Sequence, residues 1–372
     1  MQQASQSGKR GRFGYTERLS RKEACMRYVG LDVHLRRSSF CILDEDGKIV
    51  KQEQVVGNHA AVITRLGREP GPMSICYEAS CGYGYLYDRL SKLAGQVSVA
   101  HPGRLRLIYG DKKKHDRVDA KKLATLLYLD VVPLVHVPSE DVRAWRMLVE
   151  YRQKLARKRA TVKSQIRALL RTQGVECRRR PWARQSRAEL AALPMPAGVQ
   201  VSLDLMLQEL ADLGPKLKRA EAQLGSIARE DARVPLLRTI PGVGPRTAEA
   251  FCAYVDRVER FRRTSEVGSY FGLVPCEDSS AGRSRLGHIT RDGPSTMRKL
   301  LCEAAWVAIR RDATLRAYYQ RICRDDPDRK KIALVATAHH LTRVMAAMLR
   351  SGEVWRSDAA LGMNGGRPSA GG

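Results

Sequence analysis

Between Tyr28 and His34 apolar positions alternate with polar or small ones. Val29, Leu31 and Val33 fall on one side, Tyr28, Gly30 and Asp32 on the other. That period of two predicts a half-buried β-strand. SSFCILDEDGKIV (38–50) carries two more strand-like runs joined across Asp46-Gly47, a strong hairpin signal. SICYEAS (74–80) and QVSVAHP (96–102) read as further strands, YGYLYDRLSKLAG (83–95) and DRVDAKKLATLLYL (116–129) as helices. Strands first, then strand–helix units, predict a mixed α/β sheet domain over residues 27–137.

The period then changes. Ser139 is placed to cap a long helix opening at Val142, whose seam carries Leu148, Tyr151, Leu155, Val162, Ile166 and Leu169, with Gly174 after its end. A second helix repeats Leu203, Met206, Leu210, Leu213, Leu217, Ala220, Leu224 and Ile227 at 3–4 spacing, and Gly214-Pro215 is expected to kink or interrupt it. Two such seams suit a helical hairpin or coiled-coil dimer contact, and equally core-facing helices packed within one chain. Residues 138–233 thus form a helical, coiled-coil-like middle. From 234 to 355 the pattern is mostly helical, with runs near 294–312 and 330–350, the latter apolar and Ala-rich enough to be core. At its start, LRTIPGVGPRTAEAF resembles a helix-hairpin-helix. Its Gly242 and Gly244 would let backbone N–H groups face a phosphate; the alternative is a tight turn between helices.

Charge sharpens this picture. The 372 residues carry a formal +27, an excess that calls for a polyanionic partner, with nucleic acid first and an anionic membrane surface second. No apolar run approaches the roughly 20 residues of a spanning helix, so no membrane insertion is expected. Residues 1–26 read as a disordered basic arm without a secretory signal, and 356–372 as a disordered tail. The nine cysteines include no CxxC pair, which suggests free thiols in a reducing cytosol. Residues 151–187 hold thirteen Lys/Arg, among them Arg178, Arg179 and Arg180, against the single acid Glu176. A solvated helix face usually mixes both signs, so this segment is expected to contact phosphates.

Four carboxylates stand out. Asp32 and Glu78 each oppose the apolar side of their strand, and Asp116 and Asp119 lie three apart at a helix start. Taken singly, the helical pair suits capping and Glu78 a strand end. Together, a strand-one Asp, a later strand-end Glu and a helical D-x-x-D after a hairpin follow the order of a ribonuclease-H-like (RuvC-like) nuclease core. Such a core uses divalent ions to neutralise a phosphodiester's oxygens, and Mg²⁺ accepts carboxylate oxygens from different elements.

Downstream, FGLVPCEDSSAGRSRLGHITRDGPSTMRKLL (271–301) places Ser279 and Ser280 in a small-residue turn flanked by Arg283, Arg285, Arg291 and Arg298, suited to hold a phosphate. With YVGLDVH, YEAS, DRVDAKKLA, VRAWRMLVEYRQKL and IPGVGPRTA, this stretch resembles the DEDD transposases of insertion sequence family 110, related to Piv-type DNA invertases. The likeness runs from Tyr28 to about Trp355. Ala281-Gly282 and Gly293-Pro294 depart from the family's commoner Gly-Gly and Gly-Asn or Gly-Asp.

The resemblance implies α/β plus α architecture: a RuvC-like domain with the tetrad Asp32, Glu78, Asp116 and Asp119 binding Mg²⁺, and a C-terminal transposase domain. Its nucleophilic serine is Ser280, with Ser279 the fallback; no obvious general base stands near Ser280, and His288, a candidate, better suits a structural or phosphate-contacting role. It further implies a DNA recombinase working through a phosphoserine link, guided by a bridge RNA and acting as a dimer or tetramer with the site completed between protomers. The setting would be the nucleoid-associated cytoplasm. The alternatives are a water-using RuvC-like nuclease, a DNA invertase, and a non-catalytic nucleic-acid-binding protein.

Overall fold

A computed structural model of the chain describes residues 25–80, 82–108, 116–176, 180–280 and 283–357. Most of the expected basic arm and tail, and Arg178 and Arg179, lie outside them. The chain divides into two compact units, 1–139 and 140–372.

The first unit is built on a five-stranded sheet of order β3-β2-β1-β4-β5: β1 (Arg27–Asp32), β2 (Arg37–Leu43), β3 (Ile49–Val56), β4 (Met73–Glu78) and β5 (Gln96–Ala100). β1, β2 and β3 are antiparallel neighbours, whereas β4 runs parallel to β1 and β5 parallel to β4. The expected hairpin is present: Asp44 Oδ1 accepts from the backbone N–H of Asp46 and Lys48, and Gly47 takes φ 75°. Two helices missing from the sequence reading are α1 (His59–Leu66), capped by the Asn58 side chain, and α3 (Pro102–Ile108). Each is too short for helical periodicity to register clearly. α2 (Tyr83–Leu90) and α4 (Asp116–Tyr128) fall where expected.

The sheet is covered on both faces. Val29, Leu31, Phe40, Ile42, Ile75 and Tyr77 form one core with Val62 and Leu66 of α1 and Leu86 and Leu90 of α2. Cys41, Leu43 and Cys76 on the other side meet Ala120, Ala124, Leu123 and Leu127 of α4. The expectation of a half-buried β1 is therefore corrected. Its seemingly polar face is closed by a helix, which Gly30 admits: a Cβ there would sit 2.1 Å from the Ala120 carbonyl oxygen and 2.2 Å from the Ala124 nitrogen.

In the second unit, α5 (Glu140–Thr172) and α7 (Ala197–Glu230) pair antiparallel, with α6 (Arg184–Ala191) in their connection. Arg152 Nη2 bonds Glu221 Oε1 at 2.5 Å and Lys158 Nζ lies 2.9 Å from Glu209 Oε1, so numbers rise on one helix as they fall on the other. Leu155, Val162, Ile166 and Leu170 interlock with Leu203, Leu207, Leu210 and Leu217 within one chain. Two expectations are corrected. Tyr151 is 54% exposed and off the seam. Of the kink or interruption expected at Gly214-Pro215, the interruption does not occur: α7 continues through Pro215, and Ala211 and Pro215 are both exposed, so solvent is available to the carbonyl that proline leaves without its helical donor.

The rest of the unit comprises α8 (Arg233–Leu237), α9 (Pro245–Val255), α10 (Thr264–Tyr270), the hairpin β6 (Pro275–Ser280) and β7 (Arg283–Ile289), α11 (Ser295–Arg311), α12 (Ala313–Cys323) and α13 (Lys330–Ser351). Trp145 and Val149 of α5 and Leu224 of α7 belong to its core, so the start of the helical pair is rooted there. Glu150 of α5 ties in two helices, accepting from Tyr254 Oη of α9 and from Thr296 Oγ1 of α11. By length and composition the segment containing α13 is apolar enough to cross a membrane, which corrects the expectation that no run qualifies. Its Ala333, Ala338, Leu341 and Met345 are buried in the helical core, packed beside α10, α11 and α12.

Candidate functional site

The parallel strands bring their carboxyl ends to one edge of the sheet, where open α/β sheets place ligands. Asp32 ends β1 and Glu78 ends β4. The β1–β4 register pairs Leu31 with Tyr77, so one step further the two acids sit beside each other. The Asp32 side chain is 16% exposed, and His34 Nε2 lies 3.2 Å from its Oδ2, a partner that offsets part of the cost of half-burying a carboxylate. Glu78 is exposed.

α4 runs antiparallel to β1. Tyr128 near its end packs edge-on against Tyr28, ring centroids 5.4 Å apart, and Ala120 and Ala124 lie on Gly30. Its first turn, with Asp116 and Asp119, is therefore carried toward Asp32. The Asp119 carboxylate is 3.8 Å from Lys122 Nζ; the Asp116 side chain is outside the described residues. Among the described residues no three His, Cys, Asp or Glu side chains gather closely enough to hold an ion. Asp32 and Glu78 share an edge, and Asp119 lies in the turn that runs toward it, without closing into a cage. As a donor set they suit Mg²⁺, which takes carboxylate oxygens and keeps several waters rather than demanding an all-protein shell.

Sequence reasoning missed His34, although the same alternation that exposes Asp32 places a residue two positions on at the same face.

In the second unit Ser279 and Ser280 are not in a turn, as the small-residue run suggested, but are the last two residues of β6. They pair with Ser284 and Arg283 of β7 through cross-strand backbone bonding. Side chains from 278 to 286, including those of Arg283 and Arg285, and residues 281–282 lie outside the described residues. The base of the hairpin is firmly built. Gly272 (φ 64°) and Gly293 (φ 65°) interlock two chain segments so closely that a Cβ would meet the Asp292 nitrogen at 2.3 Å and the Tyr270 oxygen at 2.1 Å. Arg298 Nη1 donates to the carbonyls of Phe271, Asp292 and Gly293. Arg298, read as a phosphate holder, thus has a structural use. Arg291 is exposed, with φ 59°. His288 lies at the base, about 16 Å along the strand from the residue opposite Ser280, too far to serve that serine as a base within the hairpin.

The glycines of IPGVGP separate into two cases. Gly242 (φ 98°) packs on α11, where a Cβ would lie 2.6 Å from the Ala308 nitrogen, whereas nothing lies within 4 Å of a Cβ at Gly244. In α9, Glu249 is 1% exposed, with Arg246 Nη2 2.8 Å from its Oε1 and no partner for Oε2 among the described residues. Burial outweighs Arg246 and pushes its carboxyl up to about 7. A carboxyl raised on folding stabilises fully below its unfolded value of 4.5, and that contribution is lost as pH rises through 7. Glu249→Gln is expected to match the wild type near pH 5 and exceed it near pH 8 by roughly 2 kcal/mol, read by urea unfolding at both values.

Comparison with known proteins places the chain. A family model described as a transposase, of the DEDD type in IS110 elements, matches residues 29–173, and the model "Transposase IS116/IS110/IS902 family" matches residues 234–320. Together they span more than half of the sequence. The chain belongs to the IS110/IS116/IS902 family of transposases, which act on DNA by cutting and rejoining it. It is 27% identical to a "Probable family 20 transposase" of Pseudomonas aeruginosa over 86% of this chain and 96% of that one. It is 25% identical to the transposase for insertion sequence element IS1111A of Coxiella burnetii, over 77% of this chain and 78% of that one. The transposase for IS1328 of Yersinia enterocolitica is 25% identical over 64% of this chain and 72% of its own length.

Proposed function

We propose that this transposase cuts and rejoins element and target DNA through a serine–DNA link, using a RuvC-like carboxylate centre. The reading is carried by the shared edge of Asp32 and Glu78, toward which the first turn of α4 runs with its D-x-x-D. The Ser280 hydroxyl attacks a DNA phosphorus: the Oγ–P bond forms, the P–O bond to the leaving deoxyribose breaks, and the serine's proton ends on the leaving oxygen. A strand hydroxyl then attacks the phosphoserine, the Oγ–P bond breaks and the serine recovers a proton. Phosphodiester energy is conserved, so no nucleotide is consumed. Serine is a weak nucleophile that needs activation. Arg283, opposite Ser280 in the register, is the residue proposed to favour the charged phosphate there.

Asp32, Glu78, Asp116 and Asp119 would hold Mg²⁺, which when bound neutralises the non-bridging oxygens and stabilises the attacking and leaving oxygens. His34 holds the Asp32 carboxylate in place. A guide RNA would read sequence by pairing while the protein grips backbone, and the chain would act as a dimer or tetramer.

The test is incubation with Mg²⁺, element-end DNA and its adjacent transcript, resolved on denaturing gels. Asp32→Asn is expected to lower strand cleavage by at least roughly 10²-fold, with the unfolding midpoint kept. Cleavage without any protein–DNA adduct would replace this reading by hydrolysis with water; binding without either product would leave a nucleic-acid-binding protein.

A further inference from the structure

Two groups of cations on α5 differ in their surroundings. On the flank facing α7 they are matched: Arg152 bonds Glu221 and Lys158 lies against Glu209. Arg159, Lys163, Arg167 and Arg171 instead recur every fourth residue along one row of the helix, about 6 Å apart. Like charges at this spacing destabilise a helix. Among the described residues none of the four pairs with a carboxylate.

The connection after α5 adds to this row rather than relieving it. Trp182, partly buried against the hairpin core, lies with its ring 4.5 Å from Lys163 Nζ and 4.8 Å from Arg167 Cζ. An indole face holds cations in place without neutralising them. Arg180, two residues before it, is exposed and close enough to act on Lys163. Burial, then Arg159, Arg180 and Arg167, lower the Lys163 pKa, so the ammonium is held where isolated charge is unfavourable. Two cations on one ring, with Arg159 and Arg180 acting on the first of them and no carboxylate paired to the row among the described residues, are disfavoured in the free protein and favoured once an anion of matching reach lies on them.

We propose that Arg159, Lys163, Arg167 and Arg171, with Arg180 beside Trp182, form a backbone grip for nucleic-acid phosphates. The proposal rests on the DNA-acting reading above and adds a place to it. It is a positioning surface, since phosphate contacts fix register and carry no base information. Trp182 is the part that sequence reading passed over; its signal was a lone aromatic in RRRPWAR.

The experiment measures binding of the full chain to a duplex DNA and to a stem-loop RNA across a salt series, in the absence of divalent metal so that no cleavage intervenes. Losing two phosphate contacts in Lys163→Gln/Arg167→Gln lowers the log–log salt slope by about 1.8 on duplex DNA, at 0.9 per contact. Lys158→Gln, whose charge is already matched by Glu209, leaves the slope where it was. A change confined to one nucleic acid assigns the grip to that partner. An unchanged slope on both, or an equal fall in Lys158→Gln, overturns the proposal.

A readout on the unaltered chain guards against misfolding of the variant: amine-reactive labelling of Lys163 should drop when nucleic acid is bound, and equal labelling with and without it counts against the grip. Because binding is read apart from chemistry, a chain that shows the slope change yet forms no covalent adduct keeps this surface and loses the serine mechanism.

Discussion

Ser280→Ala is expected to remove the covalent protein–DNA adduct altogether and to lower strand exchange by on the order of 10⁴-fold or more, the scale on which enzymes lose activity without their nucleophile. The change deletes one oxygen from the end of β6, where the backbone pairs with Arg283, so folding and DNA affinity should remain at wild-type values. The measurement is a denaturing gel of labelled DNA with protein, alongside equilibrium binding. Ser279→Ala is the companion. It should keep the adduct; the reverse result, an adduct lost with Ser279 and kept without Ser280, moves the nucleophile by one residue and leaves the hairpin assignment standing.

Gly30→Val is expected to lose about 3 kcal/mol or more of stability, the upper end of what overpacking costs. The three nearest atoms that a side chain would meet, the Ala120 oxygen and the Ala124 nitrogen and Cα, all belong to the backbone of α4. None of them can rotate away, so the helix itself must lift off β1. That helix carries Asp116 and Asp119, and its displacement should also lower metal-dependent cleavage in whatever fraction remains folded. Urea unfolding gives the first effect and cleavage per folded molecule the second. Gly95→Ala serves as the control: nothing lies within 4 Å of a Cβ there, and its midpoint should shift by less than about 0.5 kcal/mol. A wild-type midpoint in Gly30→Val would mean that α4 is not seated as described.

The acids and the opening hairpin were readable because each rests on local rules. Alternation marks a strand, Asp-Gly marks its turn, and a carboxylate on an otherwise apolar strand draws notice. The strands β6 and β7 were not readable: PCEDSS and RSRLGHI lack alternation, and only their mutual pairing makes them extended. Gly30 gives no sign of its burial in the sequence, because a residue with no side chain carries no hydropathy signal.

The sequence by itself determined the five strands, α2 and α4 of the first unit, the positions of the acidic residues, the two long helical seams and the one-signed charge of residues 151–187. These follow from steric and hydropathic preferences acting over a few residues. Tertiary structure alone decided that α4 lies antiparallel on Gly30 and so runs its acids toward Asp32. It also decided that α5 and α7 satisfy each other, and which of the many cations are answered by Glu209 and Glu221 while others stay unmatched around Trp182. Each of those facts depends on atoms tens of residues apart meeting in space, and packing between distant segments leaves no periodic trace in either one.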